Sequence, residues 1–81
     1  MTTVTRFAIK NVQSSRIQVK GPGGGGYLDN GKTTNWIMQK GQYTVDKVEP
    51  SFQHVVKILW DDSGKLSTIG DYLNIVEILY E

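Results

Sequence analysis

The most constraining feature of this sequence is a series of short runs in which apolar and polar residues alternate. Residues 3–11, 16–20 and 42–48 each follow this pattern. Turn-forming residues separate the runs, at 11–15 and at 40–41. A period of two is typical of strands that bury one face. The sequence therefore predicts a mainly β fold, either a small antiparallel sandwich or a barrel-like domain.

The size of the chain limits what this fold can hold. With 81 residues, we expect a single domain over 1–81, because domains rarely divide at this length. There is no cysteine, and His54 is the one histidine, which excludes disulfides, thiolate metal sites and multi-histidine metal sites within one chain. No catalytic constellation is visible either. We therefore expect that the protein is not an enzyme. We expect no catalytic, cofactor-binding or metal-binding residues and no cofactor.

Residues 50–61 give two opposing signals. Pro50 and Gly64 stand where a helix would start and stop. Between them, apolar residues recur at helical spacing: Phe52, Val55, Val56, Leu59 and Trp60. The same stretch is rich in β-branched and aromatic residues, which favour a strand. We predict a short helix near 50–61, with a strand as the alternative. Residues 65–69 and 72–80 are predicted strands, the latter with an amphipathic helix as its alternative.

The glycine-rich run at 21–26 is expected to form a flexible loop. Glycine loses the most backbone entropy on ordering, so the run predicts either a mobile surface loop or a segment that a partner orders. The simplest interpretation of Trp36 and Trp60 is that they lie in the core. An interface role is the alternative, because tryptophan and tyrosine are enriched at binding hot spots. The candidate interface residues are Gly23, Gly24, Gly25, Gly26, Tyr27 and Trp36.

Residues 26–33 match the G-x-x-x-x-G-K-[ST] string of a phosphate-binding loop. The context contradicts this interpretation. Glycines, not an apolar strand, precede the string, and the residues after Thr33 are poor helix formers. The chain is also too short for a parallel sheet covered by helices. We interpret the string as a polar turn, and we interpret residues 61–64 as a turn, not as a calcium loop.

The net charge of +1 excludes strong overall steering toward nucleic acid or membranes. Residues 1–40 carry six Lys/Arg and one Asp, whereas residues 41–81 carry three Lys and seven Asp/Glu. This asymmetry suits head-to-tail packing of copies or balance within one fold. No apolar stretch is long enough to span a bilayer, and the start of the chain lacks the apolar run of a signal peptide. We expect no membrane partner and no export through a leader.

Several segments together resemble a known group of proteins. The segments are a strand, a Ser-rich turn and a strand over 9–19, an apolar-flanked Gly turn over 37–45, the Pro-started segment 50–60, and a Gly-started strand over 64–67. Their order is similar to small β-rich structural proteins of tailed-phage virions, found at head decoration, neck or tail positions. The glycine-rich run at 21–26 departs from that pattern. The resemblance implies no catalytic residues, many copies and contacts with neighbouring subunits.

These observations lead to one expectation and two alternatives. We expect a non-enzymatic structural or assembly protein of a phage virion, such as a decoration, neck or tail protein. It would act through protein–protein contacts with its own copies or with other virion proteins. The first alternative is a small β-barrel that binds single-stranded nucleic acid, because aromatic and basic residues interleave in residues 1–40. The second is a phage-encoded protein that binds a host protein. The expected location is the virion, or the cytoplasm if the protein is not viral.

Overall fold

The alternating runs form two antiparallel β-sheets, as predicted. The computed structural model describes residues 2–48, 53–70 and 72–81. The elements in chain order are β1 Thr2–Thr3, β2 Phe7–Asn11, β3 Ile17–Gly21, β4 Gly24–Leu28, β5 Gly41–Lys47, β6 Gln53–Trp60, β7 Lys65–Gly70, α1 Tyr72–Ile75 and β8 Val76–Tyr80.

The large sheet has six strands in the order β1-β7-β6-β5-β3-β4, and every pairing in it is antiparallel. The small sheet pairs β2 with β8. Residues 32–37 run along the other side of β2. Isolated bridges join Phe7 to Ile37 and Lys10 to Thr33, so this segment extends the small sheet. The two sheets pack face to face as a small sandwich, with β4 and residues 32–37 at the same side.

The core lies between the sheets and is built from the inward residues of the alternating runs. At its centre the Phe7 ring meets Tyr43 and Trp60, each edge to face at a centroid distance of 5.5 Å. Edge-to-face contacts of this kind add to the stability gained from burial. The indole N–H of Trp60 donates to the Gly64 carbonyl at 3.1 Å, so the largest core side chain leaves no polar group unpaired.

The predicted helix near 50–61 is wrong for its described part, because residues 53–60 form strand β6. Residues 50–52 lie outside the described residues. Within β6, Val56, Ile58 and Trp60 are buried, whereas Lys57 and Leu59 are exposed, which is a period of two. Strands β5 and β7 flank β6 on both sides and pair with its backbone. This pairing and the β-branched composition outweigh the helical spacing.

The predicted loop at 21–26 is also wrong. Pro22 and Gly23 make a tight turn, and Gly24–Leu28 form strand β4, which pairs with β3. Gly24 follows the turn with a φ of 113°, a conformation that a residue with a side chain rarely adopts. Backbone pairing with β3 holds the glycines in a strand despite their low strand propensity.

The remaining predictions hold in part. Residues 61–64 form the predicted turn between β6 and β7, in which the Asp61 carboxylate accepts hydrogen bonds from the backbone N–H groups of Ser63 and Lys65. The predicted strand at 72–80 begins at Val76, because residues 72–75 form one helical turn. The single run predicted over 3–11 is split into β1 and β2.

Candidate functional site

A groove of about 460 Å³ lies between β4 and residues 33–37, where the two sheets separate. We call it the β4 groove. Its lining residues come from β3, β4, β5 and the 33–37 segment: Val19, Gly21, Gly24, Gly25, Gly26, Tyr27, Leu28, Thr33, Thr34, Asn35, Trp36, Ile37 and Tyr43. Five of the six candidate interface residues are in this set. The sixth, Gly23, lies in the adjoining turn, close to the side chain of Gln39.

The groove exists because β4 lacks side chains on its inner face. Gly26 pairs with Val19, and Gly24 pairs with Gly21. Residues opposite each other in a ladder share a face, so Gly24 and Gly26 face the small sheet, as the buried Val19 does. A Cβ atom at either glycine would meet no heavy atom within 4 Å. The groove is therefore the space that two missing side chains leave.

Gly25 has a different role from its neighbours. A Cβ atom there would collide with the carbonyl oxygen of Val19. The pairing of β4 with β3 therefore requires glycine at position 25, whereas position 26 has room for a side chain. This difference gives a matched pair of positions for experiments.

One wall of the groove is the 33–37 segment, which β2 holds in place. The backbone N–H of Ile37 donates to the Phe7 carbonyl at 2.6 Å, and the Phe7 N–H donates back at 3.2 Å. The backbone N–H of Thr34 donates to the Ile9 carbonyl at 2.9 Å, and the Thr34 Oγ1 accepts from the Ile9 N–H at 3.0 Å. The wall is therefore attached to the core strand.

Trp36 projects from this wall and is 40% exposed. The Arg6 guanidinium carbon lies 4.2 Å from the centre of its ring. Arg6 is fixed in turn by a salt bridge of 2.6 Å from its Nη2 to Glu81 Oε1. A cation over an indole ring is attractive, so this chain of contacts orients Trp36 at the groove.

Tyr27 lies on the other rim, in β4, and is 55% exposed. Arg16 lies 5.6 Å from its ring centre and forms a salt bridge with Asp29, Nε to Oδ1, of 2.7 Å. The hydrogen bond from Arg16 to Asp29 and the attraction between their charges raise the pKa of Arg16. The floor residue Tyr43 donates its hydroxyl hydrogen to the Gln39 carbonyl, and burial raises the pKa of that hydroxyl.

In the phosphate-loop string, the backbone N–H groups of the Gly-Lys pair are already hydrogen-bonded. The Gly31 N–H donates to the Asn11 carbonyl at 2.8 Å, and the Lys32 N–H donates to the Asp29 carbonyl at 3.0 Å. After Thr33 the chain runs extended along β2, with no helix to present its N-terminus to an anion. The predicted polar turn is present at residues 29–32, whereas residues 26–28 of the string belong to β4.

Three features of the site were not anticipated from the sequence. The 33–37 segment pairs with β2, which brings Trp36 opposite the glycines. Asn11, predicted as a turn former, is fully buried and ties the end of β4 to the neighbouring turns. A second exposed apolar patch, Leu59 and Ile69, lies on the outer face of β6 and β7, with exposed fractions of 50% and 71%. The sequence signal for this patch was the period of two in β6, in which Leu59 stands between the buried residues Ile58 and Trp60.

The described residues contain no cluster of three or more His, Cys, Asp or Glu side chains that could hold a metal ion. They also contain no helix that is long and apolar enough to cross a membrane. Comparison with protein-family models, curated proteins and solved structures gives no match.

Proposed function

We propose that this chain is a non-enzymatic assembly protein that acts through protein–protein contacts. The observation that carries the proposal is the β4 groove, an open recess with an uncharged lining. It lies beside a strand that, within the part of the chain that the structure describes, pairs on one side only. Unpaired strand edges are sites of association with other chains. Exposed tryptophan and tyrosine residues at a recess are typical of the anchors of protein interfaces.

The place of assembly that we propose is a tailed-phage virion, at a decoration, neck or tail position. The support is the resemblance of roughly residues 9–69 to small β-rich virion proteins. A small domain gains stability from its neighbours by mass action, which suits a protein present in many copies. A phage-encoded protein that binds a host protein would use the same groove and remains the alternative within this class.

The single-strand nucleic-acid alternative has less support from the geometry. Stacking with bases needs exposed aromatic faces and free cations. Phe7, one of the aromatics in residues 1–40 that suggested it, lies in the core, as does Tyr43. Arg6 and Arg16 are both held in salt bridges with carboxylates.

The test measures whether the chain is present in purified particles and what mass it has in solution. The chain would be expressed in infected cells, and its presence in purified particles or in any larger complex would be measured by mass spectrometry and size-exclusion chromatography with light scattering. We expect Trp36→Ser to reduce incorporation by roughly tenfold or more, as the loss of an interface anchor does. Leu59→Ser, on the opposite face, serves as the control. A chain that stays monomeric and enters no particle or complex contradicts the proposal.

A further inference from the structure

We propose that the partner inserts an extended peptide segment into the β4 groove, where it adds as a new strand to the β4 edge and places large apolar side chains over Gly24 and Gly26. This inference rests on the proposed function and names the kind of partner that the groove fits.

The backbone of β4 supplies the first part of the fit. Among the described residues, β4 pairs with β3 alone and ends the large sheet. Its five residues span about 17 Å at the usual strand rise of about 3.4 Å per residue. An edge strand of this length offers several outward N–H and C=O groups, and an added peptide strand satisfies such groups. No side chains at positions 24–26 obstruct its approach.

The vacant glycine positions supply the second part. Gly24 and Gly26 are two residues apart, so their empty Cβ positions are about 7 Å from each other. Alternate side chains of an extended peptide have the same spacing. A peptide with large residues at i and i+2 therefore fills both spaces at once.

The sheet already contains an example of this arrangement. The Tyr43 ring, on the neighbouring strand β5, lies over Gly21 and occupies the space that a Cβ atom would take there. Covering a glycine with an aromatic residue from the adjacent strand stabilises β-sheets. In the large sheet Gly21 is covered in this way, whereas Gly24 and Gly26 face open space.

The walls and the surrounding charges define the chemistry of the peptide. Val19, Ile37 and Tyr43 present apolar surface. Residues 33–35 add uncharged polar groups, and no lining residue carries a charge. Lys32 precedes the lining residue Thr33. Lys40 follows Gln39, which lies close to Gly23, and its Nζ lies 4.8 Å from the centre of the Trp60 ring. The carboxylate nearest in sequence, Asp29, is held by Arg16. We therefore expect an apolar alternating segment with acidic residues on both flanks.

The probe is a set of synthetic peptides of roughly nine residues, long enough to span β4 with flanks. Each has acidic ends and a centre in which threonine alternates with leucine, phenylalanine or tryptophan. Binding is measured by fluorescence polarisation and by the amide shifts of the ¹⁵N-labelled protein. We expect dissociation constants on the order of 10–100 µM for the best members. Amide shifts should concentrate at residues 24–28 and 33–37.

Two peptide controls test strand addition directly. In a strand, alternate N–H groups face the partner strand. Two versions of the best peptide, N-methylated at odd or at even positions, should therefore differ, with one losing binding by at least about tenfold and the other retaining it. Equal affinities for the two versions would overturn the proposal, because binding through side chains alone does not depend on whether odd or even backbone N–H groups are methylated. Peptides with lysine flanks should bind several-fold more weakly.

The protein variants test the location. Gly26→Leu places a side chain in the groove at a position where a Cβ atom meets no heavy atom within 4 Å. It should weaken binding at least about tenfold, whereas Ile69→Thr, on the outer face, should leave binding unchanged. Circular dichroism checks the fold of each. If Gly26→Leu folds and binds the peptides normally, the inference is wrong. It is also wrong if no peptide binds and the wild type forms dimers that Gly26→Leu dissociates, since the occupant is then a second copy.

If particle incorporation proceeds normally with Gly26→Leu, the peptide inference fails and the assembly function stands. If the chain enters no particle or complex, the assembly function itself fails.

Discussion

Asn11 should be a polar position at which substitution strongly lowers stability. Its side chain is fully buried at the end of β2. Its Nδ2 donates to the Ser15 carbonyl at 2.9 Å and to the Leu28 carbonyl at 2.8 Å, and its Oδ1 accepts from the Gln13 N–H at 3.0 Å. One side chain thus ties the 12–16 turn and the end of β4 to the small sheet.

The cost of removing this side chain follows from these three bonds. A hydrogen bond contributes about 1 kcal/mol net, and a buried group left without its partner adds to the loss. Asn11→Ala should therefore lower the free energy of unfolding by about 3 kcal/mol or more. For a domain of this size, that loss corresponds to a decrease in Tm of roughly 12–24 °C.

The assay is urea denaturation followed by tryptophan fluorescence, with Asn30→Ala as the matched control. Asn30 is exposed and donates one hydrogen bond, to the Gln13 carbonyl, so its replacement should cost less than about 1 kcal/mol. If the two variants lose similar free energy, the assignment of Asn11 as the structural tie is refuted.

A second substitution adds a pH signature. Asn11→Asp turns a carboxylate toward the carbonyl oxygens of Ser15 and Leu28, which should raise the folded-state pKa of the new group above its ordinary value of about 3.9. Stability linked to such a group is present below the unfolded pKa and is lost as the pH rises through the folded pKa. The Asn11→Asp protein should therefore be closest to wild type near pH 3–4 and weakest at neutral pH. A pH-independent difference would contradict this explanation.

Three further predictions concern other parts of the structure. Gly25→Ala should cost about 1–3 kcal/mol in a denaturation experiment because of its collision with the neighbouring strand, whereas Gly26→Ala should stay within about 1 kcal/mol of wild type; similar losses would contradict the assigned faces. The Ser63 hydroxyl and the backbone N–H of Lys65 lower the pKa of Asp61, so its contribution is present above about pH 4 and is lost as the pH falls through the lower folded pKa. Asp61→Ala should therefore show a shallower decrease in Tm on acidification below pH 4, and an unchanged slope would contradict this. Burial raises the pKa of Tyr43, so wild type should lose stability above about pH 10 and Tyr43→Phe should lose less, as urea midpoints at pH 8 and 10.5 would measure.

The sequence predicted the strands whose side chains alternate between the core and solvent. Ile17 and Val19 in β3 and Tyr43 and Val45 in β5 are buried at the expected period of two. The polar turn around Gly31 was also predictable, because its residue types suit tight turns.

The features that the sequence did not predict share one physical cause: pairing between residues distant in sequence determined the local structure. Leu59 fits a helical stripe, but pairing with β5 and β7 places it on the outer face of a strand. The glycines of β4 have no intrinsic preference for extended structure, and β3 imposes it. Trp36 has no alternating neighbours, and its position at the groove depends on the bonds between residues 33–37 and β2.

The pairing of β2 with β8 has a consequence for how the chain folds. The hairpins β3–β4, β5–β6 and β6–β7 join neighbours in sequence, whereas the small sheet joins Phe7 to Tyr80 and Asn11 to Val76. Closing so long a loop costs chain entropy before any contact repays it, and such topologies fold slowly. During synthesis, residues 33–37 can pair with one side of β2 early, whereas the other side of β2 stays unpaired until residues 76–80 are made. Until then this edge of β2 is exposed, and strand β8 of a neighbouring copy made at the same time competes for it.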